Sequence, residues 1–243
     1  MSGAPGRLAG RRVLVTGGGT GIGRATALRL AAEGAAVAVA DIRVGDADET
    51  ARQVTDAAGT AHAYELDVGD EAQTSAVVAA VTDRLGGLDG LFANAGIVSP
   101  GRTHELTLED WNRVLAVNLT GVFLTVKHAL TPMVDGGGGS IVVTGSVSSV
   151  VNGLGGGAVA YKASKGGALQ LTGQGGQDRQ IDLLLRSAVA GGDRLQPLPQ
   201  GGIELGVGEG LQVDRGVDDS GQLVVDPGEA LGPDEGELTE GPG

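Results

Sequence analysis

Residues 11–23 read RRVLVTGGGTGIG, an apolar run that turns abruptly into glycine. Val13, Leu14 and Val15 suit a short buried strand. From Ile22 to Glu33 apolar side chains recur at Ile22, Ala25, Leu28 and Ala32, the spacing of a helix. A glycine turn between strand and helix lets the backbone approach a phosphate, and the unpaired N–H groups of the helix start then face the anion. A P-loop requires Lys followed by Ser or Thr after its last glycine. Arg24 and Ala25 stand there instead, which excludes that reading. The spacing also departs from the usual G-x-G-x-x-G, so the glycines alone are a weak signal.

The pattern continues outward from this turn. Further apolar runs suit strands at AAVAVADI (35–42), AHAYELDV (61–68), DGLFANAG (89–96) and SIVVTGS (140–146). Between them the spacing predicts helices near 46–58, over 70–85, and from about Leu108 to Met133, with Trp111 and Phe123 on the inner face of the last. Continuous apolar strands separated by helices point to a parallel sheet covered on both faces. Right-handed crossovers then give an α/β, doubly wound, Rossmann-type arrangement. Residues 1–172 are thus expected to form one domain of this Rossmann type.

Charge divides the chain in two. Of the net −13, residues 1–170 carry −3 and residues 171–243 carry −10. The later part has no Lys and no aromatic residue, and 22 of its 73 positions are Gly or Pro, which places it in the range of low-complexity sequence. The acidic balance argues against nucleic acid and against an anionic membrane surface as partners. No stretch is expected to span a membrane, and the apolar run near the N-terminus is short for a signal peptide. With no Cys there is no disulfide framework or thiolate metal site. A cytoplasmic protein is the default reading. His62, His104 and His128 lack a metal-ligand spacing and read as structural, so no metal is expected. TGSVSS (144–149) supplies no nucleophile elbow for a Ser-His-Asp hydrolase.

Asp41 closes the second strand about twenty residues after the glycines. A carboxylate there accepts hydrogen bonds from both ribose hydroxyls and repels a 2′-phosphate. Thr20, not a basic residue, lies within the loop, while Arg43 is the one feature that softens the preference. NAD is therefore expected, with NADP the less favoured cofactor. Tyr161 and Lys165 stand four apart, on one face of a helix. An ammonium so placed favours the phenolate, and such a phenol can exchange a proton with an alcohol or ketone oxygen. In isolation this pair is an ordinary helix turn; the order of the preceding motifs gives it weight.

In this order the motifs resemble the short-chain dehydrogenase/reductase family, classical type, over about residues 8–172. TGGGTGIG, with Gly17, Gly19, Thr20, Gly21, Ile22 and Gly23, is similar to its cofactor loop. Asp67 and Val68 in LDV resemble its adenine-contacting turn, and Asn94-Ala95-Gly96 its fourth-strand motif. Asn118, Ser146, Tyr161 and Lys165 resemble its catalytic tetrad. The resemblance implies that Tyr161 is the general acid/base and that Lys165 lowers its pKa and binds the nicotinamide ribose. Ser146 would orient the substrate oxygen, and Asn118 would hold a relay water. The family's usual Ser-to-Tyr spacing selects Ser148 instead; the end of the fifth strand selects Ser146, which is preferred here.

The family pattern also implies a continued Tyr helix, a sixth strand ending in a Pro-Gly turn, a substrate-covering helix pair and a seventh strand. Residues 173–243 show none of these to the eye. GQGGQDRQ (173–180) breaks the helical pattern, IDLLLRSAVA (181–190) reads as the one helical stretch, and residues 202–228 suit weak strands or hairpins. The acidic stretch 227–243 reads as disordered. The abrupt break at preserved length suggests a shifted reading frame, the alternative being a diverged, partly disordered C-terminus. Without further strands the fifth would be an open edge. The expected function is an NAD(H)-dependent oxidoreductase interconverting a secondary alcohol and a ketone. The alternative is a non-catalytic dinucleotide-binding or interaction protein. Family members associate through the long helix and the Tyr helix, so a homo-oligomer is an implied partner.

Overall fold

A computed structural model of the chain describes residues 6–150, 158–174, 181–187, 215–217 and 223–225. Strand β1 (Arg12–Thr16) runs through the glycine turn into α1 (Gly21–Ala32), followed by β2 (Ala36–Asp41), α2 (Val44–Asp56) and β3 (Thr60–Glu65). Then come α3 (Glu71–Leu85), β4 (Gly90–Ala93), α4 (Leu108–Leu115) and α5 (Gly121–Asp135), β5 (Gly139–Gly145), α6 (Val159–Gln174) and β6 (Ile181–Ser187). The six strands pair in the order β3-β2-β1-β4-β5-β6, all parallel. The order reverses between β1 and β4, and ligands of such sheets sit beyond the strand ends at that crevice.

Period-two alternation along the strands supplies both faces. Leu14 of β1 packs with Leu91, Ile141 and Val143, under Val78 and Val81 of α3 and Val122 and Met133 of α5. Val13 and Val15 face the other way, with Val37 and Val39, under Ala27 of α1 and Ala47 and Val54 of α2. Small residues on α1 and α2 let those helices lie close on the sheet. Asp70 and Thr107 cap α3 and α4 by accepting hydrogen bonds from the N–H groups of Gln73 and Asp110.

Four expectations are corrected. The long helix is interrupted: residues Ala116–Thr120, between α4 and α5, wind as a π-helical segment. This combined stretch, Leu108–Asp135, is also long and apolar enough to cross a membrane, with a mean hydropathy of 1.4 over an 18-residue window, contrary to the expectation that none would be. Here several of its apolar residues, Val114, Val122, Leu124 and Val126 among them, are buried in the protein, while Leu108 and Val134 are exposed. Phe123 does not face inward; it is 46% exposed beneath the Lys127 ammonium, while Trp111 is half-buried.

The fourth correction concerns residues 181–187. They form strand, not helix, and pair with β5 from Gly139↔Ile181 to Gly145↔Ser187. β5 is therefore no open edge, and the sheet reaches past residue 172. A second unit, residues 206–243, holds the antiparallel pair β7 (Arg215–Val217) and β8 (Leu223–Val225), in line with the expected hairpin. The acidic stretch 227–243 lies outside the described residues. So does most of 173–243, on which the reading-frame expectation falls.

Candidate active site

Thr16 ends β1 with its hydroxyl buried, accepting hydrogen bonds from the N–H groups of Asn94 (3.1 Å) and Ala95 (3.3 Å). Gly17 then turns at φ +61°, a conformation that favours glycine. The Gly18 N–H donates to Ala40 and the Gly19 N–H to the Asp41 carboxylate (3.0 Å each), tying the loop to the end of β2. Close approach decides two positions. A Cβ on Gly23 would run into the Gly17 carbonyl oxygen, and one on Gly19 would lie 2.8 Å from Asp41 Oδ2. α1 begins here with no acidic side chain in its first turn, so its N-terminal N–H groups keep their affinity for an anion.

Asp41 is buried and accepts a second hydrogen bond from the Arg43 N–H (3.0 Å). The Arg43 guanidinium turns to Asp46 and stays mostly in solvent. Asp67 accepts from the Gly69 N–H at 2.9 Å, and its own N–H donates to the Gln73 side chain at 2.6 Å, which fixes the turn beside buried Val68.

Asn94 links three strand ends. Its Nδ2 donates to the carbonyls of Thr16 (3.2 Å) and Gly17 (3.1 Å), and its Oδ1 accepts from the Thr144 hydroxyl (3.0 Å). Asn118 lies in the π-helical segment, fully buried. It clamps Ile97 from both sides, Oδ1 accepting from the Ile97 N–H (2.8 Å) and Nδ2 donating to its carbonyl (2.9 Å). Asn118 Nδ2 also reaches the buried Ser164 hydroxyl (3.2 Å), which donates to the Tyr161 carbonyl (2.7 Å).

Lys165, only 3% exposed, donates from Nζ to the Thr144 carbonyl at 2.6 Å, with Nζ 5.8 Å from the centre of the Tyr161 ring. Burial pushes its pKa down from 10.5 to about 8.

These groups surround a cavity of about 440 Å³ at the reversal of strand order. Gly17, Thr20, Gly21 and Ile22 line one end, with Asp41, Asp67 and Val68 beside them. Asn94, Ala95 and Gly96 form the floor, and Tyr161 and Lys165 the far wall. Gly19, Gly23 and Asn118 stand behind the lining, supporting it. Ser146 lies one residue beyond β5 and is not part of the lining. Its hydroxyl accepts from the Ser148 N–H (3.1 Å), and its carbonyl accepts from the Ser149 hydroxyl. The three histidines are apart from this cavity, each beside its own partner: Arg84 for His62, Glu105 for His104 and Glu71 for His128.

Sequence reading missed Thr16, Thr144 and Ser164. Each is a small hydroxyl residue whose partner is chosen by the fold, and only the position of Ser164 next to Lys165 hints at a role.

Comparison with known proteins gives the chain its family. A short chain dehydrogenase family profile matches residues 11–182. The chain belongs to this family. It is 41% identical to levodione reductase of Leifsonia aquatica over 169 residues, 68% of this chain and 62% of that protein. It is 40% identical to secoisolariciresinol dehydrogenase of Forsythia intermedia over 170 residues, 68% of this chain and 59% of that one. Among solved structures, NAD+-bound xylitol dehydrogenase superposes with a TM-score of 0.71 at 33% identity, covering 74% of this chain and 70% of that chain. The matched region thus spans about three fifths of the curated relatives' length.

Proposed function

We propose that the chain is an NAD(H)-dependent oxidoreductase that interconverts a secondary alcohol and a ketone. One observation carries this reading: the Lys165 ammonium, fixed on the Thr144 carbonyl, stands beside the Tyr161 ring on the wall of the cavity that opens at the glycine loop. The residues present fit a dinucleotide. Gly17, Gly19 and Gly23 permit a tight turn in which any Cβ would strike the protein itself, and the start of α1 that this turn presents would meet the pyrophosphate. Asp41 would take the ribose hydroxyls, and Asp67 and Val68 would border the adenine. Its carboxylate at the cavity edge, with Arg43 drawn to Asp46, supports NAD over NADP. When bound, the nicotinamide accepts or supplies the hydride.

The protein's own residues handle the proton and the geometry. In oxidation Tyr161 takes the hydroxyl proton of the alcohol as its carbon–hydrogen bond breaks; in reduction it returns a proton to the carbonyl oxygen. The neighbouring ammonium stabilises negative charge on the phenol oxygen. Lys165 would also hold the nicotinamide ribose, Ser146 would steady the substrate oxygen, and Asn118 would keep the loop at Ile97 in place and hold a relay water. Levodione reductase and secoisolariciresinol dehydrogenase, both named for redox chemistry, support the substrate class. A cytoplasmic location and a homo-oligomer through α4–α5 and α6 belong to the same proposal, the exposed Phe123 on α5 being the feature that supports the latter.

A second reading rests on Ser146, which stands outside the cavity lining with its hydroxyl turned to Ser148. A protein that binds the dinucleotide without organising substrate would look like this. NADH fluorescence titration followed by turnover on a panel of secondary alcohols and ketones separates the two. Binding with turnover supports the enzyme, binding alone the second reading, and no binding refutes both.

A further inference from the structure

Thr144 is the residue through which the catalytic wall and the glycine loop are joined. Its two polar groups point to opposite ends of the cavity: the carbonyl accepts the Lys165 ammonium at 2.6 Å, and the hydroxyl donates to Asn94 Oδ1 at 3.0 Å. That second contact anchors the Asn94 amide in the orientation that the two backbone carbonyls require. With Oδ1 held by Thr144, Nδ2 is directed at the Thr16 and Gly17 carbonyls. The reverse orientation would set an oxygen against two carbonyl oxygens and lose both of these hydrogen bonds. The Gly17 carbonyl is the atom that a Cβ on Gly23 would strike, so its position also decides how α1 enters the cavity.

We propose that Thr144 is a positioning residue whose hydroxyl locks the Asn94 amide and so holds the glycine loop in register with the Lys165 ammonium. This rests on the dinucleotide-dependent activity proposed above only for its kinetic consequence; the loop contact itself is independent of any ligand. Thr144 would not touch the substrate. Its contribution is to make two walls built on different strands into one frame, so that the pyrophosphate end and the nicotinamide end of one molecule are presented at a fixed separation.

The test compares the wild type with Thr144→Val, which keeps the shape and removes the donor, and Thr144→Ser, which keeps the donor. Hydrogen exchange of the ligand-free protein should speed up over residues 16–23 and 94–96 in the Val variant and return to wild-type rates in the Ser variant. NADH titration should show affinity weakened about tenfold by Val and little changed by Ser, the size expected for one partly buried hydrogen bond. The substrate KM should change far less than the NADH affinity. Should the Val variant be insoluble, Thr144→Ala makes the same comparison. Unchanged exchange in the Val variant overturns the proposal, as does a Ser variant as impaired as Val, which would assign the effect to packing of the methyl group. If the wild type binds no NADH, the proposed function fails, while the exchange comparison still decides the role of Thr144.

Discussion

The two ends of the cavity are built by opposite means. At the glycine loop the architecture depends on atoms that are missing: Gly19 and Gly23 lie where any Cβ would meet Asp41 or the Gly17 carbonyl. At the Tyr161–Lys165 wall it depends on polar atoms that are present and have few alternative partners. Asn118, Ser164, Thr144 and Lys165 form buried or half-buried hydrogen bonds there. The first end should therefore break when something is added, and the second when something is taken away.

The sharpest version of this contrast removes a single atom. Tyr161→Phe should lower turnover by roughly a thousandfold or more, within the range for loss of a general acid/base, with NADH affinity nearly unchanged. Steady-state kinetics beside a fluorescence titration would show it, and substantial residual turnover would refute the proton-transfer role. Adding one atom at the opposite end, Gly23→Ala, should weaken NADH binding by about a hundredfold, because the loop must move to admit the methyl group. Equal affinity in that variant would mean the loop is more yielding than its packing suggests. Asp41→Ala should cost about tenfold in NADH affinity, on the scale of hydrogen bonds to a charged group, and less in NADPH affinity. An equal loss for both cofactors would remove the case for NAD.

The smallest effect concerns stability, and its sign is unusual. Burial lowers the Lys165 pKa from 10.5 to about 8. Between these values the unfolded chain binds more protons than the folded one, so this group makes stability rise with pH, and below about 8 the full cost of the buried ammonium is present. Lys165→Met should accordingly raise stability near neutral pH by about 1–2 kcal/mol while abolishing activity, and the gain should fade as pH approaches 10.5. Thermal melts of both proteins across that range would reveal it. A Met variant that melts lower at every pH would mean that the ammonium's bond to Thr144 outweighs its desolvation.

The same contrast explains what could be read in advance. β1 to β5 and the glycine loop were legible because buried parallel strands are continuous apolar runs and because glycine is required where a Cβ cannot fit. The hydroxyl partners were not, since a Thr at position 144 looks the same whether its donor meets Asn94 or water. IDLLLRS was misread because three consecutive Leu suit a helix as well as a fully buried strand, and only pairing with β5 separates them. Phe123 was misread for a related reason: its helix is apolar on most sides, so the pattern does not single out the inner face. The family match extends to residue 182. Translating the gene in its other two frames would show whether a sixth-strand Pro-Gly turn is encoded over residues 173–243, and its absence in both would end the idea of a frame change.

The π-helical segment at Ala116–Thr120 has a consequence for how this gene can vary in length. Such a segment accommodates one residue more than an α-helix would over the same rise. Deleting a single codon there would let α4 and α5 merge into one regular helix without disturbing its backbone bonding. It would leave α5 close to its present orientation on the sheet, because the wider π turn spends its extra residue within nearly the same rotation and rise, and the change would fall on the segment that carries Asn118 and its clamp on Ile97. The helix and its seat on the sheet would survive the deletion, while the buried amide that pins the Ile97 loop would lose its place, so the spare residue serves the loop and not the helix.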